Sequence, residues 1–373
     1  MKRIYSIDFV RGLIMIIMAL DHIRDLLGTA SLSDPTNMGT TTPLLFFTRW
    51  ITHFCAPLFV FLSGTSAWLS IQNRGDMKAG RIFLLKRGIW LIILEFTVIG
   101  FLIWTDLYFR TLFFQVIAAI GCGFILLALL AGLPPRVLAV IGLVIIFGHD
   151  LFSWPVLLTP KLFPLGTDRV FFIGYPILPW AGIMLTGFAS GRLFEREPKA
   201  RKKLFLWMGL AALGLFILLR FINRYGDPAP WSVQKNAVYT FLSFLNVSKY
   251  PPSLLYTLVT LAGLFLLLSF SEGKQSKFIT AVSIYGKVPL FYYILHWALV
   301  HASSYIMIFA EGFHITDLRF GALQFGRPDK GSGIPLAGIY GVWIAIVLIL
   351  YPVCRWYARY KSAHRENKWL RYL

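Results

Sequence analysis

Ten apolar runs divide this chain, at about 7–27, 47–71, 84–104, 109–131, 137–152, 172–192, 204–222, 253–271, 284–308 and 335–356. A helix that crosses a bilayer needs roughly 20 mostly apolar residues, and most of these runs approach that length. The fifth is the shortest, joined to the fourth by the turn Gly132-Leu133-Pro134-Pro135-Arg136. Only 14% of residues are charged, against about a quarter in a soluble globule, too few to clothe a water-facing surface. With 57% hydrophobic residues and a mean hydropathy of +0.68, a soluble domain and a disordered chain are both excluded. The expected fold is all-α: a polytopic membrane protein of about ten helices, one domain over residues 1–373 without repeats. Cys55, Cys122 and Cys354 are far apart and odd in number, so neither a disulfide framework nor a zinc site is expected.

The net charge of +19 finds its place in the loops. Basic residues cluster at Lys2 and Arg3, between Arg74 and Arg87, at Arg136, between Arg192 and Lys203, at Lys274, Lys277 and Lys287, and from Arg355 onward. With an even number of spans these fall on one side, 23 of the 36 basic residues against 12 opposite and Arg11 within a helix. Excess Lys and Arg marks the cytoplasmic face, so both termini are expected in the cytoplasm of a multi-pass cell (inner or plasma) membrane protein. The basic balance then reflects topology and anionic lipid, not nucleic acid. Asp8 and Arg11 interrupt the first run, and Arg24 and Asp25 precede Gly28 and Ala30, so a cleaved signal peptide is not expected. The outer loops, about 28–46, 153–171, 223–252 and 309–334, are long enough to cap a cavity.

Charge inside a membrane is costly and asks for a reason. The first run holds Asp8, Arg11, Asp21, His22 and Asp25; Glu95 sits within the third, His53 in the second, and His296 and His301 in the ninth. Asp8 and Arg11, three apart, can share a face, and Asp8 then holds Arg11 at the inner end. His22 and His53 fall at similar outer depths on adjacent antiparallel helices, and His301 also lies toward that end. Asp25 follows His22 by three and Asp21 by four, so either carboxylate can orient the imidazole as a general base requires. Against this stand plainer readings: Asp21, Arg24 and Asp25 as an interfacial helix end, His53 as a structural histidine, His296 as a core histidine bonded to a neighbouring helix. Glu95 by default neutralises Arg11 or Lys287.

The stretch Arg3-Ile4-Tyr5-Ser6-Ile7-Asp8-Phe9-Val10-Arg11-Gly12, followed by Asp21-His22, resembles the transmembrane acyltransferase superfamily. That superfamily includes the acyltransferase-3 proteins and heparan-alpha-glucosaminide N-acetyltransferase. Arg11 and His22 have the ten-residue separation of the acyltransferase-3 hallmark, and Pro57-Leu58-Phe59-Val60-Phe61-Leu62-Ser63-Gly64 is similar to a stretch of the heparan enzyme's catalytic domain. Leu178-Pro179-Trp180, Tyr250-Pro251-Pro252-Ser253 and Pro289-Leu290-Phe291 with His296 resemble bacterial relatives. There are departures. Asp21-His22 stands where the heparan enzyme has an asparagine-tyrosine pair, and His53 where it has an acidic residue.

The resemblance implies an acyltransferase that takes acyl-CoA, acetyl-CoA above all, from the cytoplasm and modifies an amino or hydroxyl group of an extracytoplasmic glycan or amino sugar, with no metal. Arg11 would hold a CoA phosphate, with Asp8, Glu95, His296 and His301 as further binding candidates. His22 would be the base, with His53 assisting and Asp21 or Asp25 orienting it; a histidine acyl-intermediate is the variant. The competing class is a proton-coupled transporter using the same intramembrane charges as a relay.

Overall fold

A computed structural model describes residues 4–151, 158–329, 331–364 and 366–372. Residue 152 at the expected end of the fifth run, residues 153–157 of the following loop, and Lys2, Arg3, Lys330 and Arg365 of the basic count lie outside the described residues. The molecule is mostly helical. Helix α1 (Tyr5–Leu27) packs against helices contributed by both halves of the chain. The second run is a broken element: α2 (Pro43–Trp50), a 3-10 turn (Ile51–Phe54) and α3 (Cys55–Arg74). Pro57 explains part of the break, because it has no N–H for the His53 carbonyl one turn earlier. Tyr256 supplies the missing donor, its hydroxyl 2.8 Å from that oxygen.

The third run starts earlier than its apolar core, at α4 (Met77–Leu94), because Asp76 caps the helix by accepting from Lys78 N–H and Ala79 N–H. It continues through a π-helical turn (Glu95–Ile99) into α5 (Gly100–Trp104). The fourth run departs from expectation. Its first residues form a strand, β1 (Thr111–Phe114), and only then α6 (Val116–Leu130). Thr105 and Phe109 take positive φ, which ends the preceding helix, and Thr-Leu-Phe-Phe suits an extended backbone. After α7 (Pro135–Gly148), strands β2 (Lys161–Leu165) and β3 (Arg169–Ile173) complete a small sheet in the order β1-β3-β2. The sixth run therefore begins as strand, with α8 (Ile177–Ser190) starting only after Pro176.

Helix α9 (Pro198–Ile222), the short α10 (Ala237–Leu245), and α11 (Leu254–Ser271) follow. The ninth run is split at Pro289 into α12 (Lys277–Lys287) and α13 (Pro289–Ala310). Proline at the first helical position needs no intrahelical N–H partner, so the chain restarts there. A hairpin of β4 (Arg319–Gly321) and β5 (Gln324–Arg327) precedes the last helix, α14 (Leu336–Ala363). The expectation of an all-helical chain thus holds for the bundle, while the loops at the C-terminal end of α1 add two small sheets.

Six of the described helical segments are long and apolar enough to cross a membrane. They are Pro43–Arg74, Ile177–Glu195, Pro198–Ile222, Leu254–Ser271, Pro289–Ala310 and Leu336–Ala363. Only 22% and 17% of the spans of α9 and α14 are buried, against 78% of α11, so α9 and α14 are peripheral and α11 central. The exposed faces carry Trp207, Leu218 and Phe221 on α9 and Ile344, Leu348 and Ile349 on α14. Such surfaces suit lipid rather than water.

Two close approaches fix α1 and its neighbours. A Cβ on Gly12 would stand 1.9 Å from the Val282 carbonyl oxygen, and one on Gly286 1.9 Å from that of Asp8. Helices α1 and α12 therefore touch backbone to backbone, the contact small residues permit within membranes. At the N-terminal end of α1, Ser6 donates to Glu272 at 3.0 Å, and Glu272 also pairs with Arg201, whose Nε lies 2.9 Å away. Arg201, one of the basic loop residues in the charge count, is buried in this pair.

Candidate active site

The C-terminal half of α1 places Met18, Asp21, His22 and Asp25 on one face by helical spacing. That face borders a cavity of about 220 Å³. The opposite walls come from several later parts of the chain: Thr52 and Cys55 around the 3-10 turn, Gln115 before α6, Tyr175 before α8, Lys249 and Tyr250 before α11, Tyr293 and Trp297 on α13, and Phe325 on β5. Tertiary structure thus brings together residues up to three hundred positions apart.

At the centre is a pair of histidines. His22 Nδ1 lies 2.7 Å from His296 Nε2. His296 Nδ1 lies 3.3 Å from the Tyr292 carbonyl oxygen, which can only accept, so that nitrogen carries hydrogen. In a neutral imidazole the other nitrogen, His296 Nε2, is then an acceptor, and His22 Nδ1–H donates to it; the tautomers follow from the network. His22 Nε2 is left with its lone pair beside the cavity. The ring is held flat by Trp297, stacked at 4.2 Å between centroids and 20° between planes. Tyr293 meets its edge at 6.4 Å. An imidazole with a fixed tautomer, a locked plane and a free acceptor nitrogen is equipped to take a proton from an entering nucleophile.

The carboxylates do something other than orient His22. Asp21 is bound by Arg24 at 2.8 Å and by Arg49 at 3.2 Å. Asp25, its side chain 61% exposed, is bound by the same Arg24 at 2.5 Å. The orienting partner is His296, a core histidine bonded to a neighbouring helix as one reading of the sequence had it, with His22 as the group it meets. Arg24 is not a solvated interfacial residue: its side chain is 3% exposed, because it is the shared counter-charge of two carboxylates.

The remaining candidates are spread through the bundle. His53 is buried but does not border the cavity; its Nδ1 lies 3.2 Å from the Trp50 carbonyl oxygen and its ring meets Tyr256 edge-on. His301 Nε2 donates to the Ile103 carbonyl at 2.9 Å, tying α13 to α5. Glu95 neutralises neither Arg11 nor Lys287. Its Oε2 accepts from Ala118 N–H at 2.8 Å, so it caps the N-terminus of α6, where the helix dipole favours a carboxylate. Asp8 is buried at the other end of α1. Arg11 there donates to Ser66 Oγ and to the Leu62 carbonyl.

A second, narrower cavity of about 100 Å³ lies deeper in the bundle. It shares Met18, Phe59, Val116 and Tyr293 with the first, and Arg87 borders it. Along α1 the second cavity borders Met15 and Met18, and the first borders Met18, Asp21, His22, Asp25 and Leu26.

The sequence pattern described as heparan-alpha-glucosaminide N-acetyltransferase, catalytic, matches residues 3–225, more than half of the chain. The chain belongs to that family. It is a multi-pass membrane protein of an acetyltransferase kind. No individual curated protein matches it. The family match takes in Arg11, Asp21, His22, His53 and Glu95, while Lys249, Tyr293, His296 and Trp297 lie beyond it. Among the described residues no group of three or more His, Cys, Asp or Glu could hold a metal ion. Lys249, Gln115 and Trp297 border the cavity without having been singled out as candidates in the sequence. The one signal near Lys249 is the adjoining Tyr250-Pro251-Pro252-Ser253.

Proposed function

We propose that the protein moves an acetyl group from acetyl-CoA, presented on the cytoplasmic side, to an amino or hydroxyl group of a sugar on the far side of a cell membrane. The observation that carries this is the His22–His296 pair, which leaves His22 Nε2 as an acceptor beside the cavity. Both termini are cytoplasmic in this reading, the four remaining apolar runs also cross the membrane, and the cavity opens outward. The charge asymmetry of the loops supports that orientation.

Arg11 and Arg87 would receive the phosphates of CoA at the inner end, the role for which a guanidinium is suited. The pantetheine arm would extend through the deeper cavity and bring the thioester to His22. The acceptor attacks the thioester carbon while His22 Nε2 takes its proton, and the C–S bond breaks as that proton passes to the departing thiolate. His53 and Asp21 support the wall rather than the chemistry, and Asp25, more exposed, meets the acceptor.

The test is release of CoA thiol from acetyl-CoA by detergent-purified protein supplied with amino sugars, alongside titration of acetyl-CoA binding. Saturable binding and acceptor-dependent release in the wild type, with His22→Ala binding normally but losing release, is the expected result. Wild-type-like transfer by His22→Ala removes the histidine's role. No binding of acetyl-CoA or longer acyl-CoAs, with pH-dependent flux of an unmodified solute into proteoliposomes, favours a transporter.

A further inference from the structure

Lys249 borders the same cavity as His22 and is only 9% exposed. Among the described residues its side chain makes no hydrogen bond and no ion pair; its ammonium lies 5.0 Å from the centre of the Tyr250 ring. The backbone around it is firmly held. Asp227 accepts from Ser248 N–H at 2.9 Å and from Ser253 Oγ at 2.7 Å, and Lys249 bridges Pro252. The loop thus presents this lysine to the cavity by construction.

The carboxylates of α1 that border the cavity are matched by arginines. Arg24 and Arg49 bind Asp21, and Arg24 also binds Asp25. Among the described residues Lys249 is the cation that borders this cavity, and no carboxylate is bound to it. An ammonium withdrawn from water without an anion is costly, and that cost falls when negative charge arrives. The general base stands in the same cavity. What acyl transfer adds there, and the resting site lacks, is the anionic oxygen of a tetrahedral intermediate.

We propose that Lys249 is the oxyanion-stabilising residue of acyl transfer, donating to the thioester carbonyl oxygen as the acceptor attacks. This rests on the acetyl-transfer reading above. As the acceptor's lone pair forms the new bond to the carbonyl carbon, the C=O π pair moves to oxygen beside the ammonium and the acceptor's proton goes to His22 Nε2. Collapse re-forms C=O, breaks the C–S bond and returns the proton to the leaving sulfur. The neutral ground-state carbonyl gains less from Lys249 than the oxyanion does, so the effect belongs in kcat rather than in binding.

The experiment compares wild type, Lys249→Met, Lys249→Gln and Lys249→Arg in the thiol-release assay at saturating amino sugar. Acetyl-CoA binding is titrated for each variant, and binding at wild-type affinity certifies its fold. Removing one oxyanion donor should lower kcat about 10²–10³-fold. Lys249→Met and Lys249→Gln are expected to show that loss with acetyl-CoA Kd and acceptor KM within about threefold of wild type, the threshold taken for unchanged ground-state binding. Lys249→Arg, which keeps a cationic donor, should recover part of it. Turnover within threefold of wild type in Lys249→Gln overturns the proposal, as does a loss confined to acceptor KM, which would mark a site for a ground-state anion. A loss that follows failure to bind acetyl-CoA in both neutral variants overturns it too, making the lysine structural. If the wild type releases no thiol, the acetyl-transfer reading falls and takes this proposal with it.

Discussion

Replacing His296 by phenylalanine tests the arrangement of the site more sharply than replacing His22. The substitution keeps an aromatic ring in the stack with His22, 5.0 Å between centroids, but removes the Nε2 that accepts from His22 Nδ1–H at 2.7 Å. Trp297, 4.2 Å from the His22 ring, still holds the imidazole plane. What changes is the hydrogen position. A buried donor left without its acceptor costs about 1–3 kcal/mol. The ring escapes that penalty by moving the hydrogen to Nε2, which then cannot accept a proton. At 1.36 kcal/mol per decade the rate loss is about 5- to 150-fold, reaching only the lower end of the roughly 10²–10⁴-fold expected from His22→Ala, which removes the base outright. His296→Gln, whose amide oxygen can accept from Nδ1–H, should recover activity. The readout is kcat for thiol release, and the double variant His22→Ala/His296→Phe should be no slower than His22→Ala alone, because the second residue acts through the first. Losses that multiply in the double variant, or a His296→Phe enzyme within twofold of wild type, would refute the positioning role.

Three further expectations follow from particular contacts. Gly286→Ala forces a Cβ to within 1.9 Å of the Asp8 carbonyl oxygen, so α1 and α12 must part. A loss of about 1–3 kcal/mol is expected, read as a lower Tm in detergent, and an unchanged melt would mean the helices separate freely. Asp106 in the loop after α5 accepts from Arg110 Nε at 3.0 Å and Nη2 at 2.9 Å, and that guanidinium holds its carboxyl below the usual carboxylate range. A depressed folded pKa stabilises above the unfolded value of about 3.9 and ceases to do so as pH falls through the folded one. Asp106→Asn should therefore lower Tm at pH 7, with the gap to wild type closing below about pH 4; a gap independent of pH would assign the loss to packing. Arg11→Ala should weaken acetyl-CoA binding with little change in thermal stability, and equal affinity in a titration would remove Arg11 from the CoA site.

Six of the ten apolar runs coincide with helical segments long and apolar enough to span, as the demand for satisfied backbone groups in lipid leads one to expect. Their limits were harder to read where that demand relaxes. Thr111–Phe114 is apolar enough to extend a helix, yet it pairs with Arg169–Ile173, nearly sixty residues later in the chain, and no local pattern records such a partner. Pro289 did announce a boundary, but the apolar residues on either side of it made one long helix the simpler reading. Asp76 acted in the opposite sense, starting α4 within a polar stretch because a cap outweighs hydropathy at a helix end.

At the site, local spacing identified one wall and misassigned its partners. Asp21, His22 and Asp25 were legible as one face of α1, and proximity in sequence made a carboxylate the natural companion of the imidazole. The carboxylates instead meet arginines, one of them only visible as a partner once α2 is folded against α1. His22 reaches across 274 positions to a histidine whose aromatic surroundings suggested core packing. Both judgements about His296 hold at once: it is a buried core residue, and because its only free nitrogen faces His22 it fixes which nitrogen of that ring remains basic. Lys249 was illegible for a different reason. In sequence it is a lone lysine in an outer loop, where charge is ordinary and solvated, and it becomes exceptional only when the fold buries it beside the cavity and, among the described residues, gives its side chain no ion pair. A chemically useful charge of this kind is defined by what the fold withholds from it, so it can be found only after the partners of every neighbouring charge have been assigned.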